Sequence, residues 1–365
     1  MILIAPDHIE CGSGRLIQER TASAQAAISG KYLFDSGDIV YSKIRPYLRK
    51  ATIARFQGLC SADMYPLKTR KGVESGFILP VILGHRFSIF AEGVSARTGI
   101  PKINREDLSA FSIALPPQNE QRAIAAALSD VDALLSSLDA LIAKKRDIKQ
   151  AAMQQLLTGK TRLPGFGGEW EVKRLGDCLL SNPDYGINAP AAAYSDNLPV
   201  YIRITDIDDD GRFNPSPRVS VDSPYSGNYI LQDGDVVFAR TGASVGKSYL
   251  YRVQDGPLVF AGFLIRVRPN PKLLMPDFLA GSVTTKGYWN WVRLMSMRSG
   301  QPGINGNEYA TLPLLLPPIE EQAAIAEVLS DMDAELAALK GRRDKTRLLK
   351  QGMMQELLTG KTRLV

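Results

Sequence analysis

The chain repeats itself, and the repeat constrains every later reading. LPPQNEQ at 115–121 returns as LPPIEEQ at 316–322, and LLTGKTRL at 156–163 returns unchanged at 357–364. Both pairs lie 201 residues apart, so 115–163 maps onto 316–364 without a gap, with 29 of 49 positions identical. An ungapped match of that length marks a duplication. Upstream the echo is fainter. Gly99, Pro101, Ile103 and Asn104 match Gly300, Pro302, Ile304 and Asn305, and LFDSGDIVYSKI (33–44) matches ILQDGDVVFART (230–241). The 365 residues thus read as variable region 1–114, shared segment 115–163, variable region 164–315 and shared segment 316–365.

The shared segment predicts a long helix. Ile124, Leu128, Val131, Leu135, Leu138 and Ile142 step by four and three, as do Ile325, Leu329, Met332, Leu336 and Leu339. That spacing is a heptad seam, apolar at a and d. Pro116–Pro117 and Pro317–Pro318 punctuate the start, and Gly159 and Gly360 stand where a C-terminal cap is expected. Helices over 118–158 and 319–359 would each run ~60 Å at 1.5 Å per residue. A stripe of that length needs a partner, and the matching stripe of the other copy is the expected one, as an antiparallel coiled coil. The alternative is a separate core helix in each domain.

The variable regions follow different periodicities. YLFDSGDIVYSKI, YILQDGDVVFART and PLVFAGFLIRVRP are short apolar or alternating runs bounded by Gly, Asp and Pro, and so predict strands and turns. Helical patches are expected around 76–92 and 276–294, and PGFGG (164–168) as a turn-rich linker. The expected fold class is α+β: two mixed α/β domains alternating with two long paired helices, with a pseudo-twofold internal repeat.

Composition narrows the chemistry. His8 and His85 are the only histidines, and Cys11, Cys60 and Cys178 are scattered. Histidine is the usual general base and the commonest metal ligand, so zinc, Ser-His-Asp and Cys-His chemistries have little material here. Three dispersed cysteines do not make a disulfide framework, which fits a reducing cytoplasm. No apolar run approaches ~20 residues and MILIA lacks a basic leader, so neither a membrane span nor a signal peptide is expected. Net charge is +6, distributed as +5, +2, −1 and 0 over the four segments, so only the first domain is basic overall. Net charge alone is weak support for nucleic-acid binding.

Four motifs suggest other chemistries, and none completes its pattern. TGASVGKS (241–248) has Thr241 where a phosphate-binding loop needs glycine, and TGKT at 158–161 and 359–362 has Gln154 and Gln355 there. NPDY (182–185) resembles an adenine-methyltransferase box, but Asp184 replaces a proline and no glycine-rich cofactor turn precedes it; a turn is the better reading. Asp206, Asp208, Asp209 and Asp210 lack the downstream glutamate of a calcium loop and read as a solvated turn. No metal site and no catalytic residue is expected.

Two divergent domains alternating with near-identical helices, each opened by LPP-x-x-EQ and closed by LLTGKTRL, resemble the DNA-sequence specificity subunit of type I restriction–modification systems. Gly37–Val40 and Gly234–Val237, the GD[IV]V motif, support the likeness. The resemblance covers nearly the whole chain. It implies that each variable region is a target-recognition domain reading one half of an asymmetric double-stranded DNA site, and that the paired helices set the spacing between half-sites. It implies two modification (methyltransferase) subunits docked on the frame and restriction (helicase-nuclease) subunits beyond them. S-adenosylmethionine, ATP and Mg would belong to those partners, leaving this chain with no cofactor and no catalysis of its own, in the cytoplasm.

Specific readout draws on Arg, Lys, Asn, Gln, Ser and Thr at groove edges, while phosphates take Arg, Lys and backbone donors. The loops after the GD[IV]V strands are the candidates. In the first domain they carry Ser42, Lys43, Arg45, Tyr47, Arg49 and Lys50, joined by Arg97 and Lys102; in the second, Arg240, Thr241, Ser244 and Lys247, joined by Arg298 and Gln301. The second domain takes about 30 residues from Glu169–Trp170 to reach VYIRITDI (200–207), whereas MILIAPDHI (1–9) aligns with that later point. The first domain is therefore expected to lack its opening portion and to have an open edge, through either an upstream start or a natural truncation. Two other readings remain: a specificity subunit of a type IIB- or IIG-like system, and a coiled-coil adaptor without DNA binding.

Overall fold

The computed structural model describes residues 1–28, 30–95, 99–297 and 300–364. It divides into two compact units, Met1–Leu141 with Leu339–Val365, and Ile142–Ala338.

The first unit is built from β1 (Ile2–Ile4), β2 (Arg20–Thr21), β3 (Lys31–Phe34), β4 (Ile39–Ser42), β5 (Ala51–Ile53), β6 (Gly58–Ser61), β7 (Met64–Leu67), α1 (Ser75–Leu83), α2 (His85–Ser95), α3 (Arg105–Ser109) and the first part of α4 (Gln118–Leu156). One sheet has the order β2-β1-β6-β3 and the other β5-β4-β7. The second unit adds β8 (Glu171–Arg174), β9 (Asp184–Tyr185), β10 (Ala191–Ala193), β11 (Val200–Ile202), β12 (Val219–Val221), β13 (Val236–Ala239), β14 (Ser248–Leu250), β15 (Leu258–Phe260), β16 (Leu264–Val267), α5 (Pro276–Ser282), α6 (Lys286–Met295), α7 (Gly306–Ala310), β17 (Pro313–Leu316) and the first part of α8 (Ile319–Leu357). Its sheets run β10-β12-β11-β15, β14-β13-β16-β9 and β17-β8.

The GD[IV]V motif makes a central strand of one sheet in each unit. Both faces of that strand are covered, so it is apolar throughout rather than alternating. Ile39 and Tyr41 of β4 face α1 and α2, while Val40 packs with Ile4, Phe34 and Met64. On β13, Val236 and Phe238 face the helical core and Val237 and Ala239 face the other sheet. The turn entering each strand needs the Gly-Asp pair. Gly37 and Gly234 sit at φ +94° and +85°, the left-handed region that glycine enters at no steric cost. The Asp38 carboxylate then accepts the Asp35 backbone N–H at 2.9 Å, and Asp235 accepts that of Gln232 at 2.9 Å.

The expected helical patches are each a broken pair, α1–α2 and α5–α6. Thr285 caps α6 by accepting the Tyr288 N–H. Among the described residues no single helix is long and apolar enough to cross a membrane. The long helices span 118–156 and 319–357, two residues short of expectation at their C-termini, and Gly159 and Gly360 end them in the left-handed conformation at φ +69° and +74°.

NPDY is not a free turn: Asp184 and Tyr185 form β9, paired antiparallel with Arg266 and Ile265 of β16. The next residue, Gly186, is required by close approach. A Cβ there would lie 2.3 Å from the carbonyl oxygens of both Phe260 and Ala261. Those atoms belong to backbone that cannot step aside, so Gly186→Ala is expected to cost at least the ~1–3 kcal/mol of core overpacking, read as a lower urea midpoint.

Candidate nucleic-acid interface

The strand-exit loops of the two units share one construction. In the first, the Arg45 N–H donates to Pro101 O at 2.8 Å and the Ile103 N–H to Lys43 O at 2.9 Å, with Ile44 bridging Lys102. In the second, the Gly242 N–H donates to Pro302 O at 3.0 Å and the Ile304 N–H to Arg240 O at 2.9 Å, with Thr241 bridging Gly303. The Gly-x-Pro-x-Ile-Asn echo in the sequence is thus the strap that fastens each loop. Its asparagine also caps the next short helix: Asn104 accepts the Asp107 N–H at 2.7 Å and Asn305 that of Glu308 at 2.9 Å.

This strap brings Ser42, Lys43, Arg45 and Lys102 together in one unit, and Arg240, Thr241 and Gln301 in the other. Each loop holds a cation over a tyrosine, Lys43 Nζ 5.3 Å from the Tyr65 ring centre and the Arg240 guanidinium 4.9 Å from that of Tyr185. Arg45, Tyr47, Arg49 and Lys102 are exposed. Arg45 and Arg49 flank the Pro46–Leu48 turn at φ +49° and +47°, a conformation that costs energy for side chains other than glycine and holds two guanidiniums at one loop tip.

Other candidates have hydrogen-bond or charge partners within the chain. Lys50 Nζ donates to Pro6 O at 2.7 Å, the Ser42 hydroxyl to Ile44 O at 3.1 Å, and Lys247 pairs with Asp209 at 2.6 Å. The backbone carbonyl of Ser244 accepts the Lys247 N–H at 2.9 Å and shapes the turn. Arg97 and Arg298 lie outside the described residues. The acidic run is only partly the solvated turn expected. Asp208 accepts backbone N–H groups of Asp210 and Arg212, but Asp206 is buried in a two-bond pair with Arg203 at 2.7 and 2.9 Å.

The seam residues differ in depth. In the first unit Ile124, Leu128 and Leu138 are buried, Val131 and Leu135 are half-buried, and Leu339 lies half-buried on α8. In the second, Ile142, Ile325, Leu329 and Leu336 are buried and Met332 is half-buried. Alongside the apolar stripe, charges meet. In the first unit Lys350 pairs with Asp132 at 2.6 Å and Arg343 with Asp139 at 3.7 Å; in the second Lys145 pairs with Glu335 at 2.7 Å and Lys149 with Asp333 at 2.6 Å.

The repeated motifs exchange partners. The Glu120 carboxylate, from the first LPP-x-x-EQ, takes two hydrogen bonds from Arg363 of the second LLTGKTRL at 2.7 and 2.6 Å. The Glu321 carboxylate, wholly buried, takes two from Arg162 of the first LLTGKTRL at 2.6 and 2.5 Å. Arg162 also donates to Gly167 and Gly168 carbonyls, tying down the PGFGG segment. The neighbouring glutamines hold the variable domains. Gln121 donates to Gly72 O and Pro116 O and accepts the Glu74 N–H, while Gln322 donates to Leu273 O and Pro317 O and accepts the Met275 N–H. Glu120, Gln121, Glu321, Gln322, Arg162 and Arg363 are visible in the sequence as identical letters in both copies; their partnership is not.

Two outcomes are expected. Gln322→Leu strands a buried N–H and two carbonyls, so a loss of at least ~1–3 kcal/mol is expected in urea unfolding. Arg363 hydrogen bonding, against the opposing effect of burial, holds Glu120 below the usual carboxylate range. A depressed native pKa contributes stability that is present above the unfolded value and lost as pH falls through the native one. Urea midpoints should therefore fall with acid below about pH 4, and Glu120→Gln should flatten that dependence.

Comparison with known proteins gives this arrangement a lineage. The model of the type I restriction modification DNA specificity domain matches twice, over residues 21–145 and 168–346. The specificity subunit of the type I restriction enzyme EcoDI of Escherichia coli is 34% identical over 197 residues, 52% of this chain and 41% of that subunit. The chain thus spans under half the length of that relative. The putative type I restriction enzyme MjaX specificity subunit of Methanocaldococcus jannaschii is 23% identical over 92% of this chain and 80% of its own length. A chain in a solved structure concerned with complex assembly and conformational transition of the type I R-M system superposes with TM-score 0.62 at 19% identity, covering 99% of this chain and 92% of its own, which establishes a shared fold. With the family model matched across both variable regions and much of both long helices, the chain belongs to the type I restriction modification DNA specificity domain family.

Proposed function

We propose that this chain is the sequence-reading subunit of a type I restriction–modification complex, each variable domain reading one half of a bipartite DNA site. The observation that carries the reading is the repeated loop construction: two different sets of polar and cationic residues, fastened by one backbone pattern, on domains joined to near-identical helices. A shared mount with divergent tips is what two reading heads of one instrument require. A coiled-coil adaptor would have no use for it.

In this reading α4 and α8 pair as an antiparallel coiled coil that sets the spacing between half-sites. Support comes from each unit separately. Residue numbers rise along one helix as they fall along the other, through Glu120–Arg363, Asp132–Lys350 and Asp139–Arg343, and again through Lys145–Glu335, Lys149–Asp333 and Arg162–Glu321. In every pair the base lies further along its own helix, or its closing motif, than the acid lies along the other. That charge order favours the antiparallel arrangement and penalises the parallel one.

The reading also assigns methylation and cleavage, with S-adenosylmethionine, ATP and Mg, to partner subunits, and places the complex in the cytoplasm. This chain would supply base contacts from the exposed loop tips and phosphate contacts from their cations. Lys43→Ala with Arg45→Ala should weaken DNA binding of the assembled complex and lower its salt dependence by about one unit of slope per lost phosphate contact, while the melting temperature stays within error. Filter binding across a salt series checks this; unchanged affinity and slope would remove both residues from the interface. Methylation mapping of DNA modified by the complex would show a two-part target if the bipartite reading holds.

A further inference from the structure

Each unit has a corner, beside the strand-exit loop, where the chain passes from one sheet to another. In the first unit it joins β6 to β7, and in the second β15 to β16. The two corners are fastened alike. Ser42 pairs with Met64, and the Lys43 N–H donates to Asp63 O at 2.9 Å. Ala239 pairs with Leu264, and the Arg240 N–H donates to Phe263 O at 3.1 Å. Asp63 and Phe263 therefore stand at one structural position, each bonded through its main chain to a residue of the candidate DNA loop.

The side chains at that position point to chemistry outside the fold. Phe263 is 58% exposed, although its corner is pinned: the Gly262 N–H donates to Ile187 O at 2.8 Å and the Leu264 N–H to Ala261 O at 2.8 Å. An aromatic side chain held in water on a fixed main chain is a preorganised contact. Phe263 forms one wall of a cavity of about 350 Å³ that Asn188 and Thr205 also line, so an apolar face stands beside an amide and a hydroxyl. Asp63 is exposed as well and makes no ion pair among the described residues. The neighbouring loop carries the exposed cations Arg45, Arg49 and Lys102. Phosphates would repel a carboxylate there, so the DNA group that suits Asp63 is a donor on a base edge.

We propose, resting on the DNA-reading function above, that this corner residue is a specificity-determining position in both domains and reads a different base in each. Phe263 packs on the 5-methyl group of a thymine in the major groove, and the adjacent O4 of that thymine accepts from the Asn188 amide or the Thr205 hydroxyl. Asp63 accepts from the exocyclic amino group of a cytosine or adenine. Apolar contact with the thymine methyl and acceptance of a base amine by a carboxylate are the readouts these side-chain classes give. The cations alongside contact phosphates and fix the register, and the corner adds the sequence information that phosphate contacts lack. One mount thus carries an apolar reader in one domain and an acidic reader in the other.

The experiment is selection from a randomised duplex library by the full chain assembled with modification subunits, for the wild type, Asp63→Asn and Phe263→Ala. Asp63→Asn should change the preferred base at one position of one half-site, and Phe263→Ala at one position of the other, each by about tenfold in relative affinity. Uracil in place of the thymine at the second position should weaken wild-type binding about fourfold, the worth of one methyl group removed from water, and leave Phe263→Ala unaffected. That substitution alters the DNA alone, so it tests Phe263 whatever the stability of the variants. Identical selected sequences in all three proteins, affinity that falls equally for every sequence, or no response to uracil would overturn this inference and leave two-part recognition standing. A wild type that selects no two-part target would overturn the DNA-reading proposal and this inference with it.

Discussion

A glutamate set out of water at the start of one long helix and an arginine just past the end of the other make the contact on which the frame depends. It occurs twice, as Glu120 with Arg363 and as Glu321 with Arg162, in two-bond geometry. A carboxylate this buried is costly without a partner, so neither helix start is satisfied alone. Both copies of LPP-x-x-EQ and both copies of LLTGKTRL are kept the same because each is completed by the opposite copy. Apolar stripes by themselves are tolerant of register. Within each unit the Glu–Arg pair and two further charge pairs specify which residues face which.

The variable domains follow a second rule, in which backbone geometry is shared and side chains are free to differ. Gly-Asp turns, a strand covered on both faces and a proline-containing strap place each loop alike. The loop tips then diverge, with Arg45, Tyr47 and Arg49 in one unit and Thr241, Ser244 and Gln301 in the other. The stacked cations show the same freedom. Lys43 rests on Tyr65, which belongs to β7, whereas Arg240 rests on Tyr185, which belongs to β9. One physical arrangement is thus reached from two different strands.

Much of this is legible in the amino-acid order. Heptad spacing, double prolines and terminal glycines mark the two long helices, because helical period and capping are local properties. The GD[IV]V strands are legible for the same reason. Partnership is not. Glu120 and Arg363 are 243 residues apart, and identical motifs in two copies do not reveal that each pairs with the other's complement. Nor can composition tell a free cation from a spent one. Lys50 and Lys247 read alike in sequence, yet one donates to a carbonyl of Pro6 and the other pairs with Asp209. Asp206 reads as solvated because its neighbours are acidic, while its fold partner Arg203 lies three residues back.

The grip of Gln121 and Gln322 bears on how such proteins diversify. Among the described residues these side chains hydrogen-bond only to main-chain atoms, at Gly72, Glu74 and Pro116 in one unit and Leu273, Met275 and Pro317 in the other. A socket that recognises peptide groups is indifferent to which side chains a domain carries. Recombination can then exchange one variable domain for another of unrelated sequence, and the frame accepts the newcomer so long as its backbone arrives in the same place.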